Sequence, residues 1–456
     1  MKLPWTILHF GPIVGFVLAL LLVVYLVRQE RPPSSTIAWF LAILLVPYVG
    51  VPLYIMLGGR KMRGMAGRKP SLPGHSDRRQ RSGEALSGAG EGLFPLRAGN
   101  SAELLRTGEQ AYRSLMDAIA SARRSICITT FLLGRDETGR AILDALADKA
   151  RQGVAVYLLM DAIGSRKASA RFLSGYRAAG GSYASFMPML HLPFRGRANL
   201  RNHRKLVLVD GQSAIVGGMN LAREYMGPPT RGPRWRDLSM VVRGPAVADL
   251  GLVFRSDWEF ASSQPLELPP VKTSDPAGGL SLQVMPSGPD VEGDFVYDHI
   301  LTGVFNAQKR IWIVTPYFIP DDPLTKALCI AARRGLDVRV VVPAVSNHRL
   351  ADLVRRGFLR EVQEAGGTVW LFKPGMLHAK VILLDDSVSV LGSMNMDMRS
   401  LFLNYEIALI VHSQETAGQL ADWVDEAVQD SQKGVREAAV GVQLLEGVCR
   451  LLSPLL

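Results

Sequence analysis

Hydrophobic and polar positions divide the chain into an apolar start and a longer body with a repeating rhythm. Pro4 to Val27 holds no charged residue, and Ile37 to Gly59 holds none either. Each run is long enough to cross a bilayer core of about 30 Å as a helix. The first is too long for a signal peptide's apolar core, and no small-residue cleavage site follows it. The second contains Pro47, Gly50 and Pro52, so it either spans with a kink or re-enters. With the short loop Arg28 to Thr36 between them, residues 1–60 are expected to form a transmembrane helical hairpin, its segments at about 4–27 and 37–59.

The pattern then turns basic. Arg60, Lys61, Arg63, Arg68, Lys69, Arg78, Arg79 and Arg81 stand against a lone Asp77, which by the positive-inside rule puts this end in the cytoplasm. Residues 61–97 read as a linker rich in Gly, Ser, Pro and Arg. Its basic residues either bind anionic lipid, each worth about 1 kcal/mol near the surface, or are simply solvated.

From Ala98 onward apolar spacing alternates between helix and strand periods. Leu104–Ala120 is spaced as a helix, Ser125–Phe131 as a strand, Gly139–Gln152 as a helix and Val154–Met160 as a strand. The second half repeats this with a strand at Ile311–Tyr317, a helix at Leu324–Arg334 and a strand at Val338–Val342. The fold class is therefore α/β, in two repeats. The repeats cover 98–263 and 281–430, joined by a linker at 264–280 with four prolines. A C-terminal amphipathic segment, 431–456, either lies on a membrane surface or packs on the body.

The clearest repeat is chemical. NHRKLVLVDGQSAIVGGMN holds His203, Lys205, Asp210 and Asn220, and LHAKVILLDDSVSVLGSMN, 175 residues later, holds His378, Lys380, Asp385 and Asn395. In both, Lys follows His by two positions, Asp by seven and Asn by seventeen. Leu206–Val209 and Val381–Leu384 read as strands buried on both faces. Residues two apart share a strand face, so each His points with its Lys. Asp210 and Asp385 have the opposite parity and sit at the turn, better placed to fix a strand end than to react. A two-residue hairpin centred on Gly211-Gln212 returns Asn220 opposite His203, and one on Asp386-Ser387 returns Asn395 opposite His378. Imidazole can attack phosphorus or shuttle a proton, and Lys and Asn supply donors for phosphate oxygens. Two copies face to face supply both a nucleophile and an acid.

These stretches resemble the paired HKD motifs of the phospholipase D superfamily. RNHRK around His203, and LHAK followed by GSMNMDMRSLFLNYE after His378, are similar to the bacterial cardiolipin synthases, and the likeness runs through essentially the whole chain. It implies two phospholipase D-like repeats packed about a pseudo-twofold axis, bringing His203 and His378 to one centre. It also implies the joining of two phosphatidylglycerols into cardiolipin and glycerol through a phosphohistidine, with His203 as nucleophile. An acidic residue ahead of the strand after each motif orients a histidine in that superfamily, which here falls on Asp237 and Glu406. The spacings from the motif histidines differ, 34 residues (237 − 203) against 28 (406 − 378), with the extra residues in a loop at 227–234. The implied setting is the bacterial inner membrane, multi-pass, with a cytoplasmic catalytic domain and phospholipids as partners.

Composition changes this picture little. A net charge of +11 over 456 residues calls for anionic partners, acidic lipid or nucleic acid, and the two apolar spans argue against a nuclease. Arg195, Arg197, Arg201 and Arg204, just before and within the first motif, are expected to bind anionic head groups. Cys127, Cys329 and Cys449 form no metal or redox pattern, and no cluster has metal-ligand spacing, so no metal or cofactor is expected. A hydrolase using water, a transferase using another lipid alcohol, and a non-enzymatic lipid-binding scaffold stay open. A scaffold would typically lose a motif His or Lys, and all four are present.

Overall fold

The computed structural model describes residues 33–46, 48, 50, 51, 54, 69, 93–187, 200–229, 232–266, 276–291, 293–439, 441, 442, 446, 447 and 450. The apolar segment expected at 4–27 lies outside these residues. Of the second segment, helix α1 (Pro33–Leu45) is described, with Ile37, Leu41 and Leu44 exposed on it. No helix among the described residues is long and apolar enough to cross a membrane.

The first repeat runs β1 (Arg97–Leu105), α2 (Gly108–Ser121), β2 (Ser125–Thr130), α3 (Glu137–Arg151), β3 (Ala155–Asp161), α4 (Ser174–Ala178), β4 (Ser182–Phe186), β5 (Leu206–Val209), β6 (Ser213–Gly217), β7 (Ser239–Arg243) and α5 (Ala246–Ser262). The second runs β8 (Leu280–Ser287), α6 (Phe295–Asn306), β9 (Arg310–Val314), β10 (Phe318–Ile319), α7 (Asp322–Arg333), β11 (Asp337–Pro343), α8 (Arg349–Glu364) and β12 (Thr368–Phe372). It continues with β13 (Val381–Leu384), β14 (Val388–Gly392), β15 (Met396–Asp397), α9 (Met398–Phe402), β16 (Glu406–His412), α10 (Gln414–Gln429) and β17 (Ser431–Lys433). Outward from β1 the sheet order is β7-β6-β5-β2-β3-β4, and outward from β8 it is β16-β14-β13-β9-β11-β12. The halves are copies joined at the antiparallel β1–β8 pair.

Local chemistry explains most boundaries. Asp136 and Asp321 accept backbone N–H bonds at the starts of α3 and α7, and Lys149 and Arg151 lie in the last turn of α3. The helix expected from Leu104 starts later. Leu104 and Leu105 belong to β1, and Thr107 caps α2 by accepting from Gln110 N–H. Two apolar positions at a strand end extended the helical spacing by coincidence.

Three apolar cores stack through the body. One lies between the halves, with Leu206, Val216 and Met240 from the first, Val314, Val381 and Leu409 from the second, and α5 and α10 contributing Phe254, Trp258, Leu420 and Trp423. The others lie outside each sheet, under α2 and α3 in the first half and under α6, α7 and α8 in the second. The β5–β6 hairpin pairs Val209 with Ser213, and β13–β14 pairs Leu384 with Val388. Both loops thus have three residues, not two, and the register is one residue off that expected. Asp210 and Asp385 open the loops in the left-handed region, at φ 54° and 53°, a conformation Asp tolerates better than most residues.

One edge of the body collects the chemistry. Parallel bridges join Asn202 to Tyr405 and Arg236 to Leu377, so β5, β7, β13 and β16 all start at the same edge. Because β2 is antiparallel to β5 and β9 to β13, the strands β2, β3, β4, β9, β11 and β12 all end there. At the C-terminus, Glu446 pairs with Arg360, while Arg450 reaches Glu361 at 2.7 Å and lies over the Phe358 ring. Of the two placements open for this segment, the described residues take the one packed on the body.

Candidate active site

Each motif histidine is clamped by the opposite half. His203 N–H donates to the Tyr405 carbonyl at 2.8 Å, and His378 N–H donates to the Arg236 carbonyl at 2.7 Å. The residue after each carbonyl is the carboxylate. Glu406 therefore meets His203 Nδ1 at 2.9 Å, and Asp237 meets His378 Nδ1 at 2.7 Å. The expected orienting residues are present but exchanged: the carboxylate that follows one motif holds the histidine of the other. Ser393 Oγ donates to Glu406 at 2.5 Å, and Leu238 N–H donates to Asp237 at 2.7 Å.

The lysines lie beside the same rings. Lys205 Nζ donates to the His203 carbonyl at 2.6 Å, and Lys380 Nζ stands 2.7 Å from His378 Nδ1. Burial pushes Lys205 well below its ordinary value and Lys380 down to about 8. Burial also lowers His203, and burial with the Lys380 charge takes His378 to about 3. Burial alone would raise Asp237 and Glu406. Lys380 and His378 outweigh it for Asp237, and His203 and Lys205 for Glu406, so both stay ionised below their usual range. Two neutral imidazoles, each fixed by a carboxylate, are thus set in a buried frame with a lysine beside each ring.

The other predicted residues divide. Asn220 Oδ1 accepts from Leu132 N–H at 3.2 Å, beside the loop that carries Phe131, whose ring meets His203 edge-on at 5.0 Å. Asn395 is buried in the second half. Asp210 and Asp385 sit at the far ends of β5 and β13 from the histidines. Asp210 accepts from the N–H groups of Arg123, Arg124 and Ser125, and Asp385 from those of Gln308, Lys309 and Arg310. They hold turns and stand apart from the reacting groups.

Arg195 and Arg197 lie outside the described residues. Arg204 is fully buried, bonded to the Glu406 carbonyl at 2.9 Å, Asp257 at 2.6 Å and the Ser287 carbonyl at 2.9 Å, so it braces the site instead of meeting a head group. Arg201 is buried against Asp161 at 3.4 Å. Lys69, read from sequence as facing lipid or solvent, is buried in ion pairs with Asp257 and Asp290 and lies 4.8 Å from the Tyr405 ring. A cation from the basic linker thus balances the carboxylates behind Arg204, a tertiary pairing without sequence signal.

Sequence reasoning also missed Ser393, Tyr225 and Trp235. The rings of Tyr225 and Trp235 stand 5.0 and 5.4 Å from His378. Only Ser393 left a trace, as the one change between GGMN and GSMN.

Two phospholipase D-like repeats, each clamping the motif histidine of the other, define an enzyme of the phospholipase D superfamily, and its relatives place it among the phosphatidyltransferases that act on membrane phospholipids. The family model "Cardiolipin synthase, PLD-like domain" matches residues 115–249 and 300–428, and "Phospholipase_D-nuclease N-terminal" matches 17–59. Cardiolipin synthase 1 of Bacillus anthracis is 32% identical, covering 94% of this chain and 90% of its own. Cardiolipin synthase A of Pseudomonas fluorescens is 33% identical, covering 96% of each. Among solved structures, phosphatidylserine synthase of Haemophilus influenzae superposes with a TM-score of 0.64 at 16% identity, over 80% of this chain and 97% of that one, which shows the shared fold. The chain belongs to the cardiolipin synthase family.

Proposed function

We propose that this enzyme joins two phosphatidylglycerols into cardiolipin and glycerol at the His203–His378 centre. The observation that carries this is the crossed pairing, His203 with Glu406 and His378 with Asp237. It gives one site two imidazoles, each with Nδ1 on a carboxylate, which points to Nε2 as the reacting nitrogen; at His378 that nitrogen also lies 3.2 Å from Lys380 Nζ. His378 enters the step as the imidazolium, a form that the negative charge of the bound phosphodiester favours. His203 attacks phosphorus of the first lipid, the bond to glycerol breaks, and His378 gives its proton to that leaving oxygen and becomes neutral. His378 then takes the hydroxyl proton of the second lipid, whose oxygen displaces His203 from phosphorus. Lys205, Lys380, Asn220 and Asn395 provide donors for the phosphoryl oxygens, and Arg195 and Arg197 are assigned to the second head-group phosphate. The apolar segments 4–27 and 37–59 hold the enzyme in the bacterial inner membrane as a multi-pass protein with its catalytic body in the cytoplasm.

A second reading exchanges the histidines. It is favoured by His378, which at about 3 is neutral throughout the physiological range and fit to attack. Trapping labelled phosphoenzyme from Ala variants at the two positions decides between them. The variant that still accumulates label retains the nucleophile. Reconstituted enzyme given phosphatidylglycerol is expected to release cardiolipin and glycerol in equal amounts. Phosphatidic acid as the main product would establish a hydrolase and overturn the transferase reading.

A further inference from the structure

The edge at which the motif strands β5 and β13 begin carries a surface that the chemistry does not use. Among the loops that leave the sheet there are those after β3 (residues 162–173), β11 (344–348) and β12 (373–377), the second of which runs into the first turn of α8. Across 162–173, 344–350 and 373–377 the chain has Arg166, Lys167, Arg171, Arg349 and Lys373, all exposed, and no acidic residue. Between these bases Val345 is 71% exposed and Leu350 41%. Tyr317, which follows β9 at the same edge, braces this loop, its hydroxyl 2.5 Å from Asn347 Oδ1 and its ring edge-on to His348. Exposed aliphatics alone are ordinary on a soluble surface, but aliphatics set among bases, with no carboxylate in the same loops, are the composition of a face that binds an anionic bilayer.

A second observation points the same way. Lys69 enters its buried ion pairs beside Arg204, just before β5, and Asp290, just after β8. Both positions are at this same edge. Ten residues separate Lys69 from Gly59, where the second apolar run ends, a reach of at most roughly 36 Å for extended chain. The membrane segment therefore delivers the chain to the edge that bears the bases and the exposed aliphatics.

We infer that Val345 and Leu350 dip into the outer acyl region of an anionic bilayer while Arg166, Lys167, Arg171, Arg349 and Lys373 sit on its phosphates, seating the catalytic mouth on the lipid surface. This rests on the membrane-lipid reading above and adds the contact face to it. The geometry lets a head group rise into the site without its acyl chains leaving the bilayer. The opposite edge provides the control. Phe305, near the end of α6 where β9 begins, is 51% exposed yet faces away from the site.

The test uses the full chain in liposomes of phosphatidylglycerol and a neutral lipid. An environment-sensitive fluorophore is attached through Val345→Cys or, as control, Phe305→Cys, each with Cys449→Ser; the other two cysteines are buried. The expected result is a blue-shifted label at 345 that is quenched by lipids brominated high on the acyl chain and shielded from iodide, with the reverse at 305. Equal iodide access at the two positions overturns the proposal. This readout does not depend on turnover, so absence of cardiolipin synthesis in the same liposomes would count against the function and leave the docking result standing. A paired measurement adds the functional consequence. V345E/L350E is expected to lower turnover on bilayer substrate at least tenfold while staying within about twofold of the parent on monomeric short-chain phosphatidylglycerol. Equal losses on both substrates would also overturn the docking face.

Discussion

The two halves have the same strand order and the same hairpins, yet the pockets around their histidines differ in a coordinated way. In the second half Ser393 stands where the first has Gly218, and its hydroxyl supports the longer carboxylate, Glu406. In the first half the carboxylate is Asp237, and a Cβ at Gly218 would come within 2.2 Å of its oxygen. Glycine goes with the shorter acid pressed close, and serine with the longer acid held off. The aromatic walls differ as well. His203 meets Phe131, while His378 is covered by Tyr225 and Trp235. Trp235 directly follows the loop that makes the first half's spacing longer by six residues (34 − 28), so an insertion in one repeat covers the histidine of the other. Duplication set a symmetric frame, and the exchange of carboxylates across it let each pocket diverge without separating the pair.

The most forceful way to break this comparison is to remove one histidine. His203→Ala and His378→Ala are each expected to lower turnover by on the order of 10⁴-fold or more, and the double variant to be little worse, since members of one catalytic unit are not additive. A single variant retaining half the parent rate would mean that the halves work separately. The crossed carboxylates come next. Asp237→Asn and Glu406→Gln keep shape but lose the charge that fixes the imidazole, and each is expected to cost roughly 10² to 10⁴ in rate. Steady-state rates with folding checked by thermal melting would measure this, and a loss confined to one of the two would end the symmetry.

Much of this was legible beforehand because it is local. The strands Leu206–Val209 and Val381–Leu384, the spacing of His, Lys and Asn, and the α/β rhythm all follow from residues near one another in the chain. What escaped is tertiary or turns on a single dihedral. Nothing in sequence says that Asp237 reaches His378 in place of His203, or that Lys69 and Arg204 are buried with Asp257. The hairpin register slipped by one because Asp210 and Asp385 take the left-handed region and lengthen each loop to three residues. Arg204 shows the limit of reading a basic cluster as one surface. Its neighbours in sequence were expected at a phosphate, while its own donors are spent on carbonyls and Asp257.

The glycine–serine exchange can be tested directly. Gly218→Ser puts a side chain where Asp237 now lies, so that carboxylate has to move and His378 loses its Nδ1 partner. A displacement of about 1 Å at a catalytic group is worth on the order of 10²-fold in rate. Combining Gly218→Ser with Asp237→Glu reproduces the second half's arrangement and is expected to recover part of that loss. If the double variant is no better than the single, the serine and the longer acid are not coupled.

The smallest expected effect concerns the aromatic wall. His378 sits at about 3, with burial the main cause and the Lys380 charge the second. Trp235→Leu admits water to one face of the ring and reduces the burial penalty on the imidazolium, while Lys380 stays in place. The sign follows: the pKa of His378 rises towards its ordinary value, and more of it is protonated at mildly acidic pH. The shift is expected to be roughly one unit, read from the His378 ring signals in an NMR titration of the free enzyme. The imidazolium form of the variant should then appear at higher pH than that of the parent. Phe131→Leu provides the matched change at His203, where a single ring meets the imidazole and Glu406 remains in contact, and is expected to shift that titration less. An equal shift from both substitutions would show that the extra wall built by the longer loop has no bearing on how His378 holds its proton.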